Sequence, residues 1–281
     1  MLKQRVITAV VMLLILLPAL FYRTAMPFCM IAMVLIGIAA WEWARLNGYS
    51  QAHSLLSGLL CLLICAASWW LGMLDQSLAP LWILAGIGWV IAGAWVLHQG
   101  VAAWGGYPRT LRQFAGLMAL WLAWLAVAQA RHVGVNFLLS ILLLVWVADI
   151  FAYFAGRALG GRFSRSKLAP SISPGKSWEG VWGGMVGVLV LAFGWLLADR
   201  VFASTVPSLF SRLGSHDAWL LLVCALFLAA MSVLGDLFES LVKRSAGVKD
   251  SSGLLPGHGG VLDRVDALLP TLPLAMMLYS F

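Results

Sequence analysis

Long runs of apolar residues follow one another along almost the whole chain, separated by short polar segments. A helix that crosses a membrane needs roughly 20 consecutive apolar residues, and we expect such helices wherever a run reaches that length. The predicted spans lie near 5–22, 25–45, 54–74, 79–98, 112–130, 134–156, 179–199, 217–242 and 262–281. The runs lack the alternation of apolar and polar residues that marks strands of membrane barrels. The pattern therefore predicts an all-α, polytopic membrane helix bundle of nine spans.

Composition supports the same class of protein. Apolar residues make up 62% of the 281 residues and charged residues only 10%, whereas a soluble domain carries about 25% charged residues. The four cysteines lie inside apolar runs, so we expect small buried side chains rather than disulfides or zinc ligands. The net charge of +7 is typical of cytoplasmic loops, and the aromatic residues are not interleaved with the basic ones. Nucleic-acid binding is therefore not expected.

Basic residues are distributed unequally between the two sides of the predicted bundle. With the N-terminus inside, fourteen Lys and Arg residues fall on the inner side and four on the outer side. Cytoplasmic loops of membrane proteins carry such an excess, so the pattern predicts an inside N-terminus and an outside C-terminus. The loops 157–178 and 243–262, which are rich in polar residues, then share the cytoplasmic face.

Several acidic residues lie inside or at the edge of predicted helices, where a carboxylate is costly. Asp236 precedes Lys243 by seven residues, which places it about 10 Å inside its helix, and Asp149 lies at a similar depth. Asp263 and Asp266 open the last span and share a helix face at a spacing of three residues. Carboxylates at one depth predict a hard-cation site, because Mg²⁺ binds carboxylate oxygens together with substrate phosphates.

Structural ion pairs are the alternative interpretation of these acids. Asp236 would then pair with Lys243 of its own helix. Asp263 would pair with Arg264 or Lys249.

Glu42 is a further acid within an apolar run. It lies three residues before Arg45, near the cytoplasmic end of the second predicted span. That spacing predicts an ion pair on one helix face, and we interpret Glu42 as structural.

The loop before the seventh span carries five basic residues from Arg157 to Lys176 and no acid until Glu179. Such a loop either contacts anionic lipid or holds a polyanionic substrate. Its stretch PSISPGKS differs from a phosphate-binding P-loop, because Pro170 stands where the first glycine belongs and no strand precedes it. Lys176 does precede Ser177, a predicted helix N-cap, and a helix N-terminus beside a lysine favours phosphate.

The most specific pattern is SLVKRSAGVKDSSGLLPGHGGVLDRVD, which runs from Ser240 to Asp266. It resembles the signature of the phosphatidate cytidylyltransferases, also called CDP-diacylglycerol synthases. The matching positions are Ser240, Lys243, Arg244, Lys249, Asp250, Pro256, His258, Gly259, Gly260, Asp263, Arg264 and Asp266. The stretches ADIFAYFAGRALGG, SPGKSWEG and GDLFESLVKR are similar to that family as well, and WEWARL shows a weaker similarity. The strong resemblance covers about residues 140–281.

The resemblance implies a multi-pass enzyme of the bacterial inner membrane that faces the cytoplasm and requires Mg²⁺, with a second cation left open. Such an enzyme joins CTP and phosphatidic acid into CDP-diacylglycerol and releases pyrophosphate in phospholipid biosynthesis. The nucleophile is a phosphate oxygen of the lipid, which is already ionised, so no strong general base is needed. The difficulty is to bring two polyanions together, which a metal ion and cationic side chains overcome.

This chemistry assigns a role to each candidate residue. The expected Mg²⁺ ligands are Asp236, Asp263 and Asp266. The expected catalytic and phosphate-binding residues are Ser240, Lys243, Arg244, Lys249, His258 and Arg264, helped by Lys176, with Asp149 as a second-tier candidate. The glycines expected to let the backbone approach the nucleotide are Gly257, Gly259 and Gly260. His258 either contacts a phosphate or the leaving group, or it is a turn residue that caps the last helix.

Two other functions stay open at this stage. A CTP-dependent membrane kinase, such as a polyprenol or dolichol kinase, would share the basic loops but transfer the γ-phosphoryl group and release CDP. A transporter of an anionic lipid or metabolite would also use intramembrane acids, although transporters show paired repeats and helices interrupted near the midplane. Under the favoured interpretation, residues 133–281 form the catalytic region. Residues 1–132 then form packing helices that could offer a homodimer surface.

Overall fold

The computed structural model describes residues 2–164 and 166–281, so Arg165 of the basic loop lies outside the described residues. The described residues form α-helices and short connections, and contain no β-strand. The helices are α1 (Leu2–Leu20), α2 (Met26–Leu46), α3 (Gln51–Trp70), α4 (Ala79–Gly88), α5 (Ala94–Gln99), α6 (Val101–Trp104), α7 (Arg109–Val133), α8 (Val135–Leu159), α9 (Trp178–Val201), α10 (Leu209–His216), α11 (Ala218–Ser245), α12 (Leu262–Val265) and α13 (Leu268–Tyr279). The all-α prediction is confirmed.

Eight helical segments of the described chain are long and apolar enough to cross a membrane. They correspond to the first eight predicted spans. The fourth is composite, because a π-helical turn at Trp89–Gly93 joins α4 to α5. The architecture is therefore that of a polytopic membrane bundle.

The last predicted span is interrupted. Pro270 has no N–H to donate to the carbonyl of Asp266, four residues earlier, and the α-helical pattern breaks between α12 and α13. The segment nevertheless continues to the far end of the bundle, where the ring of Tyr279 packs on Phe137 with 4.9 Å between centroids. The count of nine crossings, and which end faces the cytoplasm, stay predictions.

Helix α13 lies at the centre of the bundle. Its residues from Leu269 to Met276 are buried, and it packs against α4, α7, α8 and α11. Van der Waals packing of this kind is what holds membrane helices together, since lipid tails are as apolar as the side chains. The four cysteines are free and buried, as expected.

Helices α8 and α9 lie close together because α9 presents glycines to α8. A Cβ atom added at Gly184 would lie 2.8 Å from the carbonyl oxygen of Ala148. Gly180, one turn earlier, would bring its Cβ within 3.0 Å of the carbonyl oxygen of Ala152. Small residues permit such close approach between membrane helices. The pair brings the polar end of α8 next to the N-terminus of α9.

Candidate active site

A cavity of about 380 Å³ lies between α8, α9, α11 and the loop before α9. Its charged side chains include Asp149 from α8, Lys176 from the loop and Asp236 from α11. The rest of the wall is formed by Ala152, Tyr153, Gly156, Arg157, Gly175, Ser177, Gly180, Val181 and Val233. The structure thus brings together three residues that the sequence assigned to a polyanion and metal site.

Lys176 and Asp236 form an ion pair in this cavity. The Nζ atom of Lys176 lies 2.5 Å from Oδ2 of Asp236, and both side chains keep about a quarter of their surface exposed. Ser240 donates from Oγ to the other carboxylate oxygen of Asp236 at 3.3 Å. Asp236 therefore pairs with a lysine from a distant loop and not, as the structural alternative had it, with Lys243.

The N-terminus of α9 opens onto the same cavity. Ser177 accepts a hydrogen bond from the backbone N–H of Gly180 at 3.2 Å, which confirms it as the N-cap. A helix N-terminus carries a partial positive charge, and here Lys176 adds a full one. This wall of the cavity is suited to an anion such as a phosphate.

A second cluster surrounds Lys243 on α11. Its ammonium contacts the carboxylate of Glu239 one turn earlier and lies 2.6 Å from Oδ1 of Asp263. Glu239 is fully buried, and its Oε1 has no hydrogen-bond partner among the described residues. Sequence reasoning missed Glu239, although its spacing of four residues from Lys243 inside an apolar helix was a usable signal. As placed, Lys243 is held between two carboxylates, and its contact with phosphate stays a prediction.

Asp263 joins two parts of the loop between α11 and α12 by hydrogen bonds. Its Oδ2 accepts hydrogen bonds from the N–H of Ser251 at 2.9 Å, the hydroxyl of Ser251 at 2.9 Å and the N–H of Gly260 at 2.7 Å. With the ion pair to Lys243, these bonds join the loop to itself and to α11.

Glu42 reaches this loop from α2. It is fully buried, accepts hydrogen bonds from the hydroxyl of Ser252 and from two loop amides, and lies 3.2 Å from the hydroxyl of Ser251. The predicted ion pair with Arg45 is wrong, because the Arg45 guanidinium lies over the ring of Trp41, 4.7 Å from its centroid. Glu42 is structural in a different sense, as a support for the loop of the signature.

The signature glycines are fixed by close approach to these anchors. Gly259 has a φ of +83°, and a Cβ atom there would lie 2.5 Å from Oδ2 of Asp263. A Cβ at Gly260 would lie 2.1 Å from the hydroxyl oxygen of Ser251. Gly257, with a φ of +77°, packs against α1. The loop thus requires glycine for its own packing, and contact of these glycines with a nucleotide stays a prediction.

The remaining predicted cations are exposed: Arg244 at the end of α11, Lys249 in the loop and Arg264 in α12. No ion pair engages them within the described part of the chain. Arg244 donates from Nε to the carbonyl oxygen of Ile172 at 3.3 Å, which ties α11 to the loop before α9. His258 is half-buried, and its Nδ1 has no partner among the described residues.

The carboxylates of this region suit a divalent cation in type and charge. Asp266 lies within electrostatic range of Asp149, Asp236 and Glu239. Across residues 2–164 and 166–281, no three Asp, Glu, His or Cys side chains form a ready ligand set. Mg²⁺ usually binds through one or two carboxylates plus substrate phosphates and water, so a protein cage is not needed. Asp236 faces the cavity beside Lys176, and Asp266 accepts one hydrogen bond, from the N–H of Ala267. Asp263 accepts four hydrogen bonds, so Asp236 and Asp266 fit this use better, and metal binding by Asp263 stays a prediction.

A membrane bundle that gathers carboxylates and cations at one end defines an integral membrane protein suited to polyanions and metal. Residues 3–281 match the Cytidylyltransferase family, and the chain belongs to this family. It is 38% identical to the phosphatidate cytidylyltransferase of Pseudomonas aeruginosa over 277 residues, which cover 97% of this chain and 95% of that protein. The enzyme of the same name from Haemophilus influenzae is 36% identical over 311 residues, covering 100% of this chain and 99% of that protein.

Similarity to relatives extends beyond the signature. A phosphatidate cytidylyltransferase of Brucella abortus is 39% identical over 253 residues, which cover 88% of this chain and 82% of that protein. The family prediction is therefore confirmed, and it covers more of the chain than residues 140–281. The family match includes the N-terminal helices as well as the signature segment.

Proposed function

We propose that this protein is a phosphatidate cytidylyltransferase. It transfers the cytidylyl group of CTP to phosphatidic acid, forms CDP-diacylglycerol and releases pyrophosphate in phospholipid biosynthesis. Relatives of this name match nearly the full chain at 36% and 38% identity. The observation that carries the proposal is the ion pair of Lys176 with Asp236 in a cavity at one end of the membrane helices.

The reaction joins two polyanions, and the cavity supplies the positive charge that it needs. Lys176 and the N-terminus of α9 bind phosphate oxygens on one wall. The exposed Lys249 of the loop and Arg264 of α12 neutralise the triphosphate and the departing pyrophosphate. Arg264 suits this task because its planar guanidinium can donate two parallel hydrogen bonds to one phosphate.

A Mg²⁺ ion is part of the proposal. Asp236 and Asp266 would hold it, and when bound it neutralises charge on the phosphates that react. Lys176 would then release Asp236 and turn to the substrate phosphate, because both partners of that ion pair are open to the cavity. A second cation stays open.

The lipid substrate enters from the side of the bundle. Tyr153 and Arg157 line the cavity on α8, and Arg157 donates from Nη1 to the hydroxyl of Tyr153 at 3.1 Å. An aromatic ring and a cation at a helix end are typical of the membrane interface, where the phosphate of phosphatidic acid lies. CTP reaches the same cavity from the opposite, aqueous side.

We further propose that the site end faces the cytoplasm of a bacterial inner membrane. The inner side of the proposed topology carries fourteen of the eighteen basic residues, which supports this orientation. CTP is a cytoplasmic substrate, which the orientation accommodates. A homodimer stays a prediction.

The test is to incubate purified protein in detergent with CTP, phosphatidic acid and MgCl₂. We expect a CDP-lipid and pyrophosphate in equal amounts, and no product when a chelator removes Mg²⁺. Release of CDP together with a newly phosphorylated lipid would contradict the proposal and indicate a kinase. Activity that persists in chelator would contradict the metal assignment alone.

A further inference from the structure

The carboxylate of Glu42 is completely buried near the C-terminal end of α2, which is the end predicted to face the cytoplasm. Its Oε1 accepts hydrogen bonds from the hydroxyl of Ser252 at 2.5 Å and the N–H of Val261 at 3.1 Å. Its Oε2 accepts one from the N–H of Leu262 at 2.7 Å and lies 3.2 Å from the hydroxyl of Ser251. Each carboxylate oxygen therefore accepts from one amide of the same loop and lies within hydrogen-bond distance of one of its hydroxyls.

Among the described residues, Glu42 has no cationic partner, and hydrogen bonds alone hold its carboxylate. Burying a carboxylate is costly unless its oxygens are fully hydrogen-bonded, and among the described residues the donors come from residues 251–262. The carboxylate in turn joins the start of that loop to its end. Removing it would leave two backbone N–H groups buried without an acceptor, and such groups are costly.

The hydrogen bonds continue from Glu42 to α11. The hydroxyl of Ser251 lies within hydrogen-bond distance of both Glu42 and Oδ2 of Asp263 and can donate to either. Asp263 in turn accepts from Lys243 at 2.6 Å. A side chain of the N-terminal helices is thus connected through Ser251 to the charged cluster of the signature.

We propose that Glu42 is a positioning residue for cytidylyl transfer, acting through the backbone of residues 251–262. It fixes the start of α12, so that Arg264 and Asp266 keep their places relative to Asp236. This inference rests on the proposed function. It gives residues 1–132 a part in the reaction, because α2 supplies one of the supports of the site.

The direct test is Glu42→Gln, which keeps the size of the side chain but replaces one acceptor oxygen with an NH₂ group. The two hydroxyls can rotate to suit an amide, but the two backbone N–H groups cannot. One of Val261 and Leu262 must then face a donor. We expect hydrogen exchange of the amides in 251–262 to accelerate at least tenfold, and kcat to fall at least tenfold with KM for CTP changed less than threefold.

The matched control is Asn47→Ala. Asn47 is also buried and lies at the end of α2, but its side-chain hydrogen bonds go to Trp43, Trp104 and Arg112 and not to the loop. We expect its kcat and its exchange in 251–262 to stay near wild type, even if its Tm falls as far as that of Glu42→Gln. Ser252→Ala is a milder second variant that loses one donor, and we expect the same changes at a few-fold size.

Two results would overturn the proposal. One is amide hydrogen exchange in residues 251–262 of Glu42→Gln that is as slow as in wild type, and the other is a loss of kcat in Glu42→Gln no larger than that in Asn47→Ala. If Glu42→Gln does not fold, Ser252→Ala decides by the same two measurements. The exchange arm needs no substrate. If the wild-type protein shows no cytidylyl transfer, the proposed function is contradicted. The exchange measurement then still tests whether Glu42 supports the loop.

Discussion

Asp236 and Asp263 carry the same carboxylate group but have different surroundings in the structure. Asp236 faces the cavity and is bonded to a lysine that also faces it. Asp263 accepts hydrogen bonds from Lys243 and from the loop backbone, which leaves its oxygens occupied. The sequence predicted metal binding for both, because spacing and depth cannot distinguish a carboxylate open to substrate from one that holds a loop.

Asp263→Asn and Asp266→Asn separate these two uses. We expect Asp263→Asn to lower Tm clearly, since a buried Lys243 loses one of its two carboxylate partners and the charged acceptor of the loop is gone. Asp266→Asn should leave Tm nearly unchanged but abolish the rise in Tm that Mg²⁺ produces. The measurement is a melting curve of each variant in detergent with and without Mg²⁺. Equal loss of the Mg²⁺ response in both, with equal Tm, would restore the symmetrical metal assignment.

Arg264→Lys tests the planar contact with phosphate. The side chain is exposed, so the change should not alter Tm. Lysine keeps the charge but cannot donate two parallel hydrogen bonds, and we expect kcat/KM to fall at least tenfold. Arg23→Lys, at an exposed position near the opposite end of the bundle, is the control. Wild-type turnover in Arg264→Lys would show that two-point contact at this position is unimportant.

At the scale of elements, apolar runs were sufficient to predict the helices but not their interruptions. Eight predicted spans form helical segments of membrane-crossing length. The π-helical turn at Trp89–Gly93 lies within a run that reads as uniformly apolar, and nothing in its periodicity marks it. The break before α13 was in principle readable, since Pro270 removes one hydrogen bond of the helix.

Close packing of α9 on α8 gives a prediction at this scale. Gly184→Ala would place a Cβ 2.8 Å from the carbonyl oxygen of Ala148, so the helices must separate. We expect a lower Tm and reduced activity, because both helices line the cavity. Gly194→Ala lies on the same helix with no atom near its Cβ, and should be neutral or slightly stabilising. A Tm for Gly184→Ala equal to that for Gly194→Ala would contradict the packing argument.

At the scale of the whole molecule, the site depends on contacts between distant parts of the chain. The signature found by sequence contains Lys243 and Asp263, but it does not include Glu42, which lies 220 residues before its partner Leu262. Lys176 and Asp236 were both candidates, yet their ion pair was not predicted. Periodicity and local motifs identify such residues one at a time. Only the packing of the helices determines which of them meet.

Topology is the prediction that belongs to this scale. Cysteines introduced at Ser166 and Leu254 lie on exposed parts of the two site loops, and one at Ser215 is exposed at the other end. An impermeant thiol reagent added outside intact cells should label only the Ser215 variant, because the proposed orientation puts both site loops inside. The native cysteines should not react, because they are buried. Labelling of either loop variant from outside would overturn the orientation.

The central claim is that cytidylyl transfer takes place in the cavity shared by α8, α9 and α11. The most direct measurement compares wild type, Asp236→Asn and Asp75→Asn for transfer of label from the α-phosphate of CTP to phosphatidic acid. Asp75 is exposed near the end of the bundle opposite the cavity and serves as the control. We predict that wild type and Asp75→Asn transfer the label at similar rates, and that Asp236→Asn, still folded in detergent, loses at least two orders of magnitude. Near-wild-type transfer by folded Asp236→Asn would contradict the account.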